Sequence, residues 1–336
     1  MANFTRKPPS LVVRLSSCFL LDFVSPPVVR TLERLGWLDP LLWKWSERRE
    51  RNVVSKNPLR GYVPGKHDVF VMAYAKSGQN WVMQIVWQLI HRCQSDFDHI
   101  HSVVPWPDAV LVTRTMRNYA VPLEKATEWR VAHERKRIIK THLNWEQLPY
   151  SEEAHYIAVI RDPKDVFVSS YFFIRDYFLG GAMPSAETMC RAFVLGKALA
   201  GGSWAHNAAG YWAQRNRPNV LILFFALMKR DPEGTVRRIA AFLDIDFSDE
   251  TIQEVCRRSS FEYMKSIDGR FAPYRGAPWR KLGRMMRKGQ QGGSSELLSV
   301  EQQMQIDASC RAQLERLASD LPYDQICEHT GMSHKG

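Results

Sequence analysis

The stretch VFVMAYAKSGQNW, residues 69–81, decides the fold class. Its first six residues are a continuous apolar run bounded by turn residues, which is typical of a parallel strand buried on both faces. The polar loop 75–80 follows, and a helical pattern begins at Trp81 and runs to about Cys93. A strand, a tight loop and a helix in this order begin a β-α-β unit.

Three more strand candidates follow, over residues 137–142, 156–161 and 220–225. Helical patterns lie between and after them, over residues 165–178, 186–199, 205–215, 232–243 and 249–258. This alternation predicts an α/β fold, a P-loop-like parallel sheet flanked by helices on both faces. In such sheets, ligands bind at the carboxyl ends of the strands.

Polar motifs follow three of the predicted strands. The loop after the first strand carries Lys76 before its single glycine, so it is not the common nucleotide-binding loop, but its backbone amides can hold an anion. The second strand ends in KTHL, residues 140–143, and the third ends at Arg161, with Ser169 in the helix beyond. Each has an ordinary alternative: a turn with an exposed lysine, a structural histidine, or a helix cap beside a solvated arginine.

The chain is basic, with 46 Lys and Arg against 35 Asp and Glu among 336 residues, a net charge of +11. Residues 270–295 contain seven basic side chains and no acidic one, and this segment includes the motif Arg287-Lys288-Gly289. A concentrated positive segment indicates an anionic ligand, either a nucleic acid or a multiply phosphorylated small molecule. No nucleic-acid recognition motif accompanies it, so no specific nucleic-acid partner is expected.

Cysteine and histidine spacing argues against disulfide and metal chemistry. The six cysteines lie far apart without a C-x-x-C pair, which favours reduced thiols in a cytoplasmic protein. His99 and His101 lie near His91 but lack a cysteine or carboxylate in ligand register, so no metal site is predicted.

Residues 1–60 are predicted to form an N-terminal helical arm, ahead of a main domain over 61–325 and a tail over 326–336. Apolar residues recur at helical spacing from Val28 to Leu35, and Asp39-Pro40 is typical of the cap and first turn of a helix through Trp45. A loop over residues 53–67 then leads to the main domain. The apolar stripe either packs on the protein's own core or contacts a membrane surface.

Taken in order, the motifs resemble those of the cytosolic-type sulfotransferases, which use 3′-phosphoadenosine 5′-phosphosulfate (PAPS). The family's Y-P-K-S-G-T-T-W looks like residues 74–81, its K-T-H-L like 140–143, and its R-N-P-K-D-V-x-V-S-x-Y-x-F like 161–173. Its S-F-x-x-M-K looks like residues 260–265, and its R-K-G like 287–289. The matches cover about residues 66 to 310.

The resemblance implies the sulfotransferase fold, PAPS as co-substrate, PAP as product and no metal. It also implies that His142 is the general base, with Lys76 and Lys140 in the catalytic group and Lys76 neutralising the oxygen between sulfate and 5′-phosphate. The implied nucleotide-binding residues, in which Trp81 and Phe261 enclose the adenine, are Lys76, Ser77, Gly78, Gln79, Asn80, Trp81, Arg161, Ser169, Ser259, Phe261, Arg287, Lys288 and Gly289.

The sequence departs from the family at several places. Gln79-Asn80 replaces Thr-Thr, and the amide NH₂ groups are expected to donate to phosphosulfate oxygens instead. Of the family's short dimer motif only Val300 is kept, so a homodimer stays an open question.

The acceptor is expected to be a small lipophilic alcohol, phenol or sterol-like hydroxyl compound. The predicted acceptor-pocket residues are aromatic or methionine: Trp106, Met116, Tyr119, Phe172, Phe178 and Met183. The alternatives are a glycan or glycolipid acceptor, a PAP- or PAPS-binding relative without catalysis, a nucleic-acid-binding protein, and a P-loop kinase. Against a P-loop kinase, the chain lacks both the lysine position of the kinase nucleotide-binding loop and a magnesium-ligand pattern.

Overall fold

A computed structural model describes residues 10–111, 119–196, 202–273, 283–289 and 291–327. In this part of the chain four parallel strands form one sheet: β1 (Asp68–Ala73), β2 (Arg137–Thr141), β3 (His155–Ile160) and β4 (Val220–Phe224). Their order across the sheet is β2-β1-β3-β4. All four strands therefore end at the same edge, as the sequence predicts.

Helices surround the sheet. After an N-terminal region described below, they are α4 (Gln79–Ile90), α5 (Ile100–Val103), α6 (Pro163–Ile174), α7 (Ala186–Val194), α8 (Trp204–Trp212), α9 (Phe225–Arg230), α10 (Pro232–Phe242), α11 (Asp249–Arg258), α12 (Phe261–Ser266), α13 (Val300–Arg316) and α14 (Tyr323–Cys327). A π-helical turn, Arg175–Leu179, extends α6. The helix predicted over 186–199 ends at Val194, ahead of Gly196 with φ +67°, and residues 197–199 lie outside the described part.

Both faces of the sheet are covered, because alternate residues of each strand enter two different apolar cores. Phe70 and Met72 of β1 belong to a core shared with α6, α7, α8 and α13. Val69 and Val71 belong to a second core shared with α4, α10 and α11. The side chains of β1 are all buried, which is why this strand reads as a continuous apolar run.

The N-terminal region forms α1 (Leu11–Phe19), a π-helical turn over Leu20–Val24, α2 (Ser25–Arg34) and α3 (Leu38–Ser55). The prediction for α3 was wrong in two respects. Asp39 does not cap the helix, which begins at Leu38, but pairs with Arg191 of α7 at 2.9 Å. The helix also continues through residues 53–55, expected as loop, because Leu42 and Val53 face the same core.

Candidate functional site

The loop between β1 and α4 is tightly wound. Lys76 has φ +69° and Gly78 has φ +106°, both in the left-handed region. A Cβ on Gly78 would lie 2.6 Å from the Phe225 ring, so only glycine fits there. Lys76 is not glycine and is strained by its backbone conformation, which the surrounding contacts must hold. The loop therefore presents its backbone and the Lys76 side chain at the sheet edge in a single arrangement.

The Gln79 side chain links β1 and β2 by hydrogen bonds, so its NH₂ group is not available to a ligand. Its side-chain Nε2 donates to the carbonyl oxygens of Val71 (2.7 Å) and Thr141 (2.8 Å), which lie on β1 and β2. Both amide protons are therefore used within the buried core. Both Gln79 and Asn80 line the cavity described below, but the expectation that the Gln79 NH₂ group donates to phosphosulfate oxygens was wrong.

Replacing Gln79 with leucine should lower the free energy of unfolding by about 2 kcal/mol, because two buried hydrogen bonds are lost at about 1 kcal/mol each. Chemical denaturation of the ligand-free protein measures the change. Asn80→Ala, which alters the neighbouring amide at the cavity surface, serves as the control and should shift stability much less. Equal stability of Gln79→Leu and the wild type would contradict the fastening role.

His142, at the end of β2, is held in one tautomer. Its ring Nδ1 lies 2.7 Å from the carbonyl oxygen of Ala73, so Nδ1 carries the proton and donates it. Nε2 is consequently the basic nitrogen of the neutral ring. The backbone N–H of His142 donates to Asp108 Oδ2 (3.0 Å), and the ring packs edge-on against Trp106, with centroids 5.4 Å apart. These contacts orient the imidazole from three sides.

Lys140 precedes His142 and is almost completely buried. Burial lowers its pKa to about 7, an effect that Asp108 opposes and Lys76 reinforces. The ammonium Nζ lies 3.3 Å from His101 Nε2 and 3.9 Å from the centroid of the Trp106 ring. Lys140 thus titrates near neutral pH inside the same site as His142.

Lys76 interacts electrostatically with Arg161 and Arg287, two other residues predicted to bind the anion. Burial lowers its pKa to about 8; Arg161 and Arg287 lower it too, and Asp268 opposes them. Its Nζ lies 4.1 Å from the centroid of the Phe173 ring. Positive side chains from three distant parts of the chain therefore share one region, which favours bound anions.

Arg161, at the end of β3, supports the strained loop. Its Nη1 donates to the carbonyl oxygen of Lys76 (3.3 Å), and its Nη2 pairs with Asp165 (3.2 Å). The guanidinium also lies over the Phe225 ring, 4.4 Å from the centroid. Arg161 thus links the edge of β3 to the loop after β1.

The motif at residues 287–289 lines the same site as Lys76 and Arg161. Arg287 (2.6 Å) and Lys288 (3.1 Å) both pair with Glu296 Oε2. Burial raises the pKa of Glu296, but these two partners outweigh burial and hold it below its ordinary value. A Cβ on Gly289 would lie 2.4 Å from the Phe261 ring, so glycine is required for the chain to pass this ring.

These elements surround one cavity of about 1300 Å³. The predicted residues that line it are Lys76, Gly78, Gln79, Asn80, Trp81, Trp106, Tyr119, Lys140, His142, Arg161, Ser169, Phe178, Ser259, Phe261, Arg287, Lys288 and Gly289. The structure thus brings together most of the residues that sequence analysis selected.

Three predicted residues have other placements. Ser77, within the loop, is fully buried and does not line the cavity. Phe172 packs under the guanidinium of Arg287, 4.5 Å from centroid to carbon, and Met183 packs against the core. Neither contributes to the cavity wall. Met116 lies outside the described residues.

Sequence analysis missed several cavity residues. Phe225 and Lys229 follow the end of β4, so the rule that ligands bind at strand ends could have found them. Lys229 Nζ donates to the carbonyl oxygen of Gly289. Asp108 and His101 come from the segment between α4 and β2: His101 lies on α5 and was considered only as a metal ligand, and no local pattern distinguishes Asp108.

Among the residues that the structure describes, no group of three or more His, Cys, Asp or Glu could hold a metal ion. His99 Nε2 donates to the carbonyl oxygen of Ala272 (3.0 Å), and His99 Nδ1 accepts the backbone N–H of His101. These rings therefore serve as hydrogen-bonding partners within the fold.

Comparison with known proteins matches residues 66–318 to the sulfotransferase domain family. Luciferin sulfotransferase of Photinus pyralis is 31% identical over 59% of this chain and 57% of its own length. Sulfotransferase 1C2 of Homo sapiens is 26% identical over 74% of this chain and 83% of its own length.

Solved structures share the fold. Retinol dehydratase in complex with androsterone and PAP gives a TM-score of 0.66 at 22% identity, covering 82% of this chain and 86% of that one. Mouse sulfotransferase SULT7A1 complexed with PAP gives 0.58 at 24% identity, covering 77% and 88%.

Proposed function

This chain belongs to the sulfotransferase domain family and is a PAPS-dependent sulfotransferase, and on that premise we propose that it sulfates a hydroxyl group of a small lipophilic acceptor, with His142 as general base. One observation carries the proposal. Lys76, His142, Arg161 and Arg287 come from four separate stretches of chain, and all four line the same cavity.

The cavity suits the nucleotide chemically. Lys76, Arg161, Arg287 and Lys288 offer positive charge to the 5′ and 3′ groups of PAPS, and Ser169 adds a hydroxyl. The glycines at 78 and 289 keep the backbone close to the Phe225 and Phe261 rings, where a Cβ would collide. Glu296 neutralises Arg287 and Lys288 in the ligand-free chain, so a bound phosphate must compete with this carboxylate for them.

The part of the cavity proposed to bind the adenine ring is aromatic. Trp81 and Phe261 line the cavity and are proposed to enclose the adenine. The Trp81 indole N–H is buried without a hydrogen-bond partner in the structure, so a ligand acceptor can satisfy it. The Ser259 hydroxyl donates to the carbonyl oxygen of Val255 (2.7 Å), which leaves its oxygen to accept a hydrogen bond from a ligand amino group.

In the proposed reaction, separate residues accept the acceptor's proton and stabilise the charge of the leaving phosphate. PAPS supplies the sulfuryl group, whose bond to the 5′-phosphate oxygen breaks as the acceptor oxygen bonds to sulfur. His142 Nε2 takes the acceptor's hydroxyl proton, because the bond to Ala73 keeps Nδ1 protonated. Lys76 stabilises the negative charge that develops on the phosphate oxygen, and Lys140 adds a nearby donor whose pKa of about 7 lets it change charge readily.

The acceptor end of the cavity is apolar. Trp106 and Tyr119 form a small aromatic cluster against which Phe178 packs, and Trp106 also contacts the His142 ring. Such walls suit a ring or chain carrying one hydroxyl. The related folds support this choice, since retinol dehydratase was solved with androsterone and with retinol.

Incubating the protein with ³⁵S-labelled PAPS should yield labelled sulfate esters of phenols, sterols or long-chain alcohols and little label on soluble saccharides. Thin-layer chromatography of the products measures the transfer. The saccharide arm is the internal control for acceptor class. Transfer confined to saccharides would refute the lipophilic acceptor, and PAP binding without transfer to any acceptor would refute the proposed reaction.

A further inference from the structure

The N-terminal arm exposes far more apolar surface than a helix packed on its own protein. Its large side chains that face solvent are Val12, Val13, Phe19, Leu20, Phe23, Val24, Val28, Leu35, Trp37, Leu41, Trp43 and Trp45. Residues Leu15–Arg34 form a helical stretch of 20 residues, long and apolar enough to cross a membrane, and only 6% of its most apolar 18-residue window is buried. A surface of this size indicates an interaction partner.

Three of the five acidic side chains of the arm pair with groups of the main body, whereas Glu47 and Glu50 are exposed. Asp22 Oδ1 accepts the backbone N–H of Gly181 (3.2 Å), and Glu33 Oε1 accepts that of Ser185 (2.7 Å). Asp39 pairs with Arg191. These contacts hold the π-helical turn, α2 and α3 along the body of the protein, an arrangement that suits a helix lying on a surface and not one crossing a bilayer.

Basic and tryptophan side chains lie on the outside of the same arm. Arg30, Arg34, Lys44 and Arg48 are exposed, and Trp37 is 62% exposed. Residues 1–66 contain 12 basic and 5 acidic side chains. Exposed apolar residues combined with basic residues and tryptophan are typical of helices that lie in the interface of an anionic bilayer.

We propose that α1, α2 and α3 dock this protein peripherally on a membrane that contains anionic lipid. The apolar side chains enter the boundary between headgroups and acyl chains, and the arginines and lysines contact lipid phosphates. A protein partner would not require the basic charge to be spread along the whole arm, and charge complementarity therefore favours the lipid surface.

Docking would also place the cavity near lipid. Leu42, Trp45 and Val53 of α3 line the cavity that holds His142. A lipophilic acceptor dissolved in the bilayer could then reach the cavity along α3 without crossing water. This second part rests on the proposed function, whereas the docking itself does not.

Vesicle sedimentation tests the docking with the full chain. Wild-type protein should sediment with vesicles of phosphatidylcholine and phosphatidylglycerol at low salt, and much less with phosphatidylcholine alone or at high salt. Two double variants, Leu20→Glu/Val24→Glu and Arg30→Glu/Arg34→Glu, should each lower the affinity for these vesicles by about tenfold or more. Met304→Glu and Arg238→Glu change an exposed apolar and an exposed basic residue outside the arm, and should bind like the wild type.

Three results would overturn the docking: no binding of the wild type, equal binding of the arm and control variants, or binding that resists high salt and alkaline carbonate, as a membrane-spanning segment would. Circular dichroism and PAP binding establish that the variants fold. Transfer to a soluble phenol without vesicles should be the same for arm variants and wild type. Vesicle binding without any transfer would refute the proposed function and leave the docking standing.

Discussion

Replacing His142 with alanine should lower kcat for sulfuryl transfer about 10²–10⁴-fold, the usual contribution of a positioned general base. The loss is expected because the basic Nε2 is removed from the cavity, while the cationic residues that are proposed to hold the nucleotide are untouched. Affinity for PAP, measured by calorimetry, should stay within a few-fold of the wild type.

Two further variants separate chemistry from structure. His142→Asn keeps a donor for the carbonyl oxygen of Ala73 but has no basic nitrogen, so it should be as inactive as alanine. His133→Ala removes an exposed histidine and should retain full activity. Substantial turnover in both His142 variants, with normal folding, would exclude this residue as the base.

Replacing Lys76 with alanine should lower kcat about 10²–10³-fold, the loss expected when one group that stabilises transition-state charge is removed. Its Nζ lies over the Phe173 ring in a low-dielectric cavity, where a single charge has a large effect. Steady-state kinetics with saturating PAPS measures the change. Lys76→Arg keeps the charge and should recover part of the activity, and Lys66→Ala, at an exposed lysine, should be silent.

The pH dependence of PAP affinity provides an independent test of Lys76→Ala. The pKa of Lys76 is lowered to about 8 by burial, so the side chain loses its positive charge as the pH rises through about 8. A bound anion favours the charged form, and PAP affinity of the wild type should therefore fall above that pH. Lys76→Ala should lose this component. An unchanged kcat and an unchanged pH profile would show that Lys76 has no part in the reaction.

The strands were predictable because a strand buried on both faces needs a continuous apolar run, and the runs at 69–74 and 156–161 differ from the observed strands by one residue at each end. The positions of Lys76, His142 and Arg161 followed from the same runs, since parallel strands place their carboxyl ends together. The motif at 287–289 had no strand to locate it and depended on the family resemblance.

Other parts of the site depended on side-chain partners distant in the chain. The role of Gln79 is set by carbonyl oxygens at positions 71 and 141, and no sequence pattern shows that its amide turns inward. Phe172 was expected in the acceptor pocket, yet it supports Arg287 instead. Helical periodicity indicates that a residue is apolar and roughly which way it faces, but not which neighbour it meets.

By itself, the sequence determined the α/β class, the strands that the motifs at 75–80, 140–143 and 161 follow, and the positive charge available for an anionic ligand, because backbone hydrogen bonding and apolar burial act over short stretches of chain. Only the tertiary structure decided that Nδ1 of His142 keeps the proton, that the Gln79 NH₂ group is already hydrogen-bonded within the fold and that Glu296 competes for Arg287 and Lys288. Those properties arise from atoms within about 3 Å of each other that chain folding alone brings together.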